Sequence, residues 1–159
     1  MLKRLGSLVL FASLVGAVPA EAQTVRFGVG IVPVIGLEDG AGSDFGIGAQ
    51  LDYVPAGNWG VRVDGAYMFD EYLLWNGDVA YHFTTSSGRI HPFLLGGLAV
   101  VNDDSFDNAE LGVGLGGGLN IHIPNSPVGV YVDARFQRFF DADFNQIQLG
   151  GGIRFGQGE

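Results

Sequence analysis

From residue 23 onward, apolar residues alternate with small or polar ones in segments of about ten, and no stretch sustains a 3.6-residue period. A period of two sends successive side chains to opposite faces, so the chain reads as strands rather than helices. Residues 59–69 show this well: Trp59, Val61, Val63, Tyr67 and Phe69 share one face with Gly65, and Arg62, Asp64, Ala66 and Met68 share the other. Residues 128–140 repeat it, with Val128, Val130, Val132, Ala134 and Phe136 opposed to Tyr131, Asp133, Arg135 and Gln137. The pattern predicts eight strands, at 24–35, 44–54, 59–69, 72–83, 89–101, 109–123, 128–140 and 144–155. Between them lie Pro55-Ala56-Gly57-Asn58, Thr84-Thr85-Ser86-Ser87-Gly88 and Pro124-Asn125-Ser126-Pro127, whose residues suit tight reversals. Consecutive strands are therefore expected to be antiparallel neighbours. The fifth alternates poorly, being almost continuously apolar after Pro92, and is still expected to pair on both sides.

Whether the apolar faces meet each other or meet lipid decides the class of protein. A soluble barrel buries its apolar face, whereas a membrane barrel turns it outward around a polar interior. The polar faces carry Arg26, Asp52, Arg62, Asp64, Asp78, Asp133, Arg135 and Arg154, four of each sign. Solvated faces of a chain this acidic would be mostly negative, while side chains enclosed in a narrow lumen must neutralise one another. Gln50, Asn76, Asn120, Gln137 and Gln148 fall on the same faces, as do glycines such as Gly28, Gly30, Gly114, Gly150 and Gly152 that make room inside. Aromatics gather near the strand ends. Tyr53, Trp59, Tyr81, Phe83 and Phe155 are expected at one rim, and Phe45, Phe69, Tyr72, Phe136, Phe139, Phe140 and Phe144 at the other, as two interfacial girdles. A lipocalin-like soluble barrel is the alternative, but its cavity would need an apolar lining.

Composition narrows the chemistry. The 159 residues include no cysteine, which removes disulfides, thiolate nucleophiles and Cys-based metal sites. A net charge of −9 with only eight Lys and Arg disfavours nucleic acid. Residues 1–22 read as a cleaved signal peptide: Lys3 and Arg4, an apolar run shorter than the roughly 20 residues of a membrane span, then Ala20-Glu21-Ala22 as the cleavage site. Cleavage would leave Gln23 first, with residues 23–159 as one domain, and no cysteine there to carry a lipid. Removing Lys3, Arg4 and Glu21 from the eight basic and seventeen acidic residues leaves six and sixteen, a net charge of −10.

The whole of 23–159 resembles the small eight-stranded outer-membrane β-barrels of Gram-negative bacteria, the group of OmpA-like transmembrane domains, OmpX and opacity-type surface proteins. The most specific piece is the last strand, where Gln148, Gly150, Ile153 and Phe155 resemble the polar, glycine, hydrophobic, aromatic spacing read by the barrel assembly machinery. In that family the chain normally stops at the aromatic; here Gly156-Gln157-Gly158-Glu159 follows. The resemblance implies an eight-stranded antiparallel up-and-down transmembrane barrel in the outer membrane, inserted by that machinery. Its expected partners are outer-membrane lipid and lipopolysaccharide, and it is expected to be monomeric.

Export and an even strand count would leave both termini in the periplasm. The outer connections and their flanks then carry Glu38, Asp39, Asp44, Asp70, Glu71, Asp103, Asp104, Asp107, Glu110, Asp141 and Asp143 against Arg138 alone, while the periplasmic turns carry no carboxylate. Such a rim either bridges divalent cations or stays solvated; residues 102–110 lack the full calcium-loop pattern, so a solvated acidic loop is expected and no metal site is assigned. No cofactor motif is legible, and no enzyme activity is expected. His82 with Thr84 resembles a deacylase His-x-Ser pair only loosely and sits toward the periplasmic end; His91 and His122 have no evident partner. The function expected is envelope structure or surface interaction by a barrel with a charge-paired, largely closed lumen. A narrow pore for water or small ions and a lipid A-modifying enzyme are the alternatives.

Overall fold

Strands whose two faces both have a use, one toward lipid or solvent and one toward an interior, can close on themselves and leave no edge. The computed structural model describes residues 24–38, 42–86, 88–103, 109–141 and 143–156; the expected signal segment, Asp39, the acidic stretch at 104–108 and the tail at 157–159 lie outside the described residues. Eight strands follow one another: β1 (Thr24–Gly36), β2 (Ser43–Ala56), β3 (Trp59–Met68), β4 (Tyr72–His82), β5 (Ile90–Asp103), β6 (Ala109–His122), β7 (Val128–Phe139) and β8 (Phe144–Phe155). They close into a barrel in chain order, every neighbour antiparallel, with β8 returning to β1. The eight strands expected from periodicity are these eight, with ends that differ by at most two residues.

The β1–β8 seam is the one long-range closure. Its ladder runs through Gly30↔Gly152 and Ile31↔Gly151 and resumes at Val34↔Gln148 in the same register. The gap falls at Pro33, which has no N–H to donate. Glycine shapes the seam: a Cβ on Gly152 would lie 2.6 Å from Gly30 Cα and would also run into the Val29 carbonyl. Reversals are tight at 57–58, with Gly57 at φ 68°, and at 69–71, where left-handed Glu71 donates its N–H to the Met68 carbonyl at 3.0 Å.

The outward face is apolar along every strand up to the loop-bearing rim, where Ser43, Asn102 and Asn145 also point out. Among the described residues, Arg138 at the loop-bearing end of β7 is the sole charged residue at an outward strand position. Trp59, Tyr81 and Phe83 pack in sequence at one rim, with ring centroids 4.9 and 5.0 Å apart, and Phe45 meets Phe69 at 5.6 Å at the other. Three aromatics expected in that second girdle point inward instead. Phe139 is fully buried and stacks on Phe144 at 4.6 Å, and Tyr72 packs beside them. Strand parity is the reason: Phe139 shares a face with Arg135 and Gln137, Phe144 with Gln146 and Gln148, and Tyr72 with Asn76 and Asp78.

β5 pairs fully with β4 and β6. Its weak alternation has a simple cause. Its inward residues Phe93, Leu95 and Ala99 are buried hydrophobics, so both of its faces are apolar.

Candidate functional site

The interior is layered along the barrel axis. At the loop-bearing end, Val32, Val34, Ala66, Met68, Leu74, Ala99 and Phe139 form a buried apolar cluster, with Tyr72, Val101 and Phe144 packed against it. Below it runs a chain of amides. Gln146 donates to Gln137 at 2.7 Å, Gln137 donates to Asn76 at 2.6 Å, and the Asn76 amide donates to Asp64 at 2.7 Å and to Gln148 at 3.2 Å. These side chains cross the lumen, joining β4 to β7 and β8.

The charged layer comes next. Arg135 reaches Asp64 at 3.0 Å and Asp78 at 2.8 Å, the second off the ideal hydrogen-bond direction. Arg62 holds Asp52 with two donors at 2.5 and 3.2 Å and extends across the barrel to Asp133 at 3.4 Å. Arg154 adds a contact to Asp52 at 2.8 Å. The Arg62 guanidinium also lies 4.4 Å from the centroid of the Phe93 ring, a cation–π contact that closes its apolar side. Arg62 is completely buried and Arg135 nearly so, and isolated charges at such depth would be prohibitively costly. Glycines make the crossing possible: a Cβ at Gly150 would sit 2.5 Å from Asp133 Oδ1, and one at Gly114 3.1 Å from Arg135 Cδ.

Seven of the eight charged residues singled out in the sequence are thus joined by ion pairs, in two groups: Asp52, Arg62, Asp133 and Arg154, and Asp64, Asp78 and Arg135. Arg26 is the exception. It faces inward opposite Asp52, yet no carboxylate of the described residues lies within 4.0 Å of it, because Arg62 and Arg154 occupy the Asp52 oxygens. In β8, Gln148 and Gly150 face the lumen while Ile153 and Phe155 point outward and are exposed. His82 faces the lumen with its ring 6.0 Å from Phe93 and neither ring nitrogen bonded, and the Thr84 hydroxyl bonds Asn58 instead.

At the loop-bearing rim, Glu38 accepts from the Asn145 backbone N–H at 2.5 Å and from its side-chain amide at 2.8 Å, tying the first connection to β8. Arg138 pairs with Asp143 and with Asn145. Asp70, Glu71 and Asp141 are exposed, and among the described residues no group of three or more carboxylates and histidines is arranged to hold a metal.

No protein-family model and no curated protein sequence matches the chain. Solved structures do. The outer membrane protein OprG from Pseudomonas aeruginosa superposes with a TM-score of 0.66 at 12% identity, over 87% of this chain and 97% of that one. The attachment invasion locus protein Ail of Yersinia pestis gives 0.58 at 18% identity, over 84% and 99%. The N-terminal β-barrel domain of Pseudomonas aeruginosa OprF gives 0.58 at 17% identity, over 82% and 97%. The chain therefore has the fold of the small eight-stranded outer-membrane β-barrels.

Proposed function

We propose that the protein spans the bacterial outer membrane as a sealed barrel and serves envelope structure or surface interaction, with its acidic loops outside and its short turns in the periplasm. One observation carries the membrane reading. Among the described residues the outward strand face is apolar except close to the loop-bearing rim, where Ser43, Asn102 and Asn145 stand and where Arg138 bears its only charge. In water a continuous apolar surface around the whole molecule would drive association, whereas a bilayer requires it. A lipocalin-like alternative would put ligand-binding apolar surface inside, and here the middle of the lumen is filled by arginines, carboxylates and amides in contact with one another. The C-terminal residues Gln148, Gly150, Ile153 and Phe155 are proposed as the signal for the assembly machinery, the last two accessible on the outer face.

Sealing rests on the layers. Met68, Leu74 and Phe139 are fully buried within the bore, and beneath them the amide and charged layers span it from wall to wall. Eight strands leave an interior that side chains can fill, which supports a bore closed above its turn-bearing mouth. The test is a pair of measurements on protein refolded in detergent: migration of boiled against unboiled samples, then planar-bilayer recording. A heat-dependent shift followed by silent traces is expected. Discrete ion conductance would replace the sealed barrel with a narrow pore, and a protein that stays folded and monodisperse in plain buffer would overturn the membrane reading.

A further inference from the structure

The four arginines and four aspartates of the middle and turn-bearing lumen balance in number but not along the axis. Arg135 alone faces Asp64 and Asp78, whereas Arg62, Arg154 and Arg26 gather around Asp52, with Asp133 reached only by Arg62. The turn-bearing half therefore holds a surplus of positive charge, and the surplus lies at its mouth. There a cavity of about 320 Å³ opens, lined by Arg26, Arg154, His91, His122 and Asn120. Gly88, Gly129 and Gly156 contribute to its wall. No carboxylate of the described residues lines it.

Two of its polar groups are buried without partners. Asn120 is 6% exposed, yet neither its oxygen nor its nitrogen makes a hydrogen bond among the described residues. Arg154 is 5% exposed and spends one terminal nitrogen on Asp52, leaving its Nε unbonded. His91 spends its Nε2 proton on the Gly88 carbonyl at 3.2 Å, so the guanidinium groups and the Asn120 amide are the donors the cavity offers. An unpaired amide and two guanidinium groups around one cavity are a set of donors awaiting acceptor oxygens.

We propose that this vestibule binds the phosphate group of a small molecule, with Arg26 and Arg154 holding its oxygens and Asn120 supplying a further donor. Guanidinium forks match phosphate geometry, and the single surplus charge suits a mono- or dianion better than a neutral solute. The cavity exceeds a bare phosphate, so room remains for a small organic substituent. The site itself depends only on the barrel interior; that it faces the periplasm rests on the orientation proposed above. A free phosphate compound and a lipid headgroup share this chemistry.

The test is a titration of the refolded full chain with inorganic phosphate, followed by phosphorus NMR linewidth and by calorimetry, first in a maltoside detergent without phosphate. Saturable binding with a Kd at or below about 1 mM is expected. Arg26→Gln removes a cation that has no ion-pair partner here, so it should weaken binding roughly tenfold. Its heat-modifiable migration should match the parent. Asn120→Leu should weaken binding by a smaller factor. Unsaturable binding by a sample that migrates as folded barrel, or equal affinity in Arg26→Gln, overturns the site while leaving the membrane barrel standing. Repeating the titration in phosphatidylglycerol nanodiscs identifies the source: unchanged affinity supports a soluble phosphate compound, and lost affinity supports a headgroup that already occupies the site.

Discussion

Replacing Arg135 by alanine should be the most damaging single change in the lumen. Arg135 is 2% exposed and is, among the described residues, the sole cation within 4.0 Å of both Asp64 and Asp78. Its loss strands two carboxylates, and Asp64 keeps only the Asn76 amide, at 2.7 Å. Removing one partner of a buried ion pair costs about 3–5 kcal/mol, far more than the same pair is worth on a surface, because the desolvation of the remaining charge is no longer offset. With a urea slope of about 2 kcal/mol per M, the unfolding midpoint in lipid vesicles should fall by about 2 M. The companion variant Asp64→Asn, Asp78→Asn, Arg135→Met removes all three charges together and should regain most of the loss. If Arg135→Ala lies within about 1 kcal/mol of the parent, the charges are hydrated as at a surface and the sealed lumen is refuted.

Three further outcomes follow from the same geometry. Leu115, 70% exposed at the middle of β6, should cost about 2–4 kcal/mol as Leu115→Arg in vesicles, where a water-facing site would tolerate the change within about 0.5 kcal/mol; tolerance would place the apolar face in water. At the seam, Gly152→Ala forces a methyl into the β1 backbone while outward Gly151→Ala meets nothing closer than 3.9 Å, so only the first should lose the fast-migrating unboiled band, and equal refolding of the two would contradict this closure. Phe139→Ala should destabilise by about 3–5 kcal/mol yet leave bilayer traces silent, because the amide and charged layers still span the bore; conductance in this variant would make the apolar layer the only seal.

Much of this was legible in the chain. Alternation identifies seven of the strands and assigns their residues a face, turn residues bound the almost wholly apolar fifth, and the even mixture of signs on the polar faces, in a chain of net charge −9, points to enclosure. Parity also carries the signal for the inward turn of Tyr72, Phe139 and Phe144. An aromatic near a strand end suggests an interfacial girdle, but its face is set by counting from Asn76, Arg135 or Gln148, and that count places all three inside.

Height along the axis was not legible. Arg62 meets Asp133 across 71 residues and Arg154 meets Asp52 across 102, and these meetings depend on the stagger accumulated around the closed sheet. Periodicity says which residues enter the lumen and nothing about which share a level, so the apolar, amide and charged layers, the isolation of Arg26 and the cavity beside it emerge only on closure. The physical reason is the range of the forces involved. Strand formation and facing follow from local alternation, whereas charge pairing and exclusion of water act across a bore whose two walls are far apart in the chain.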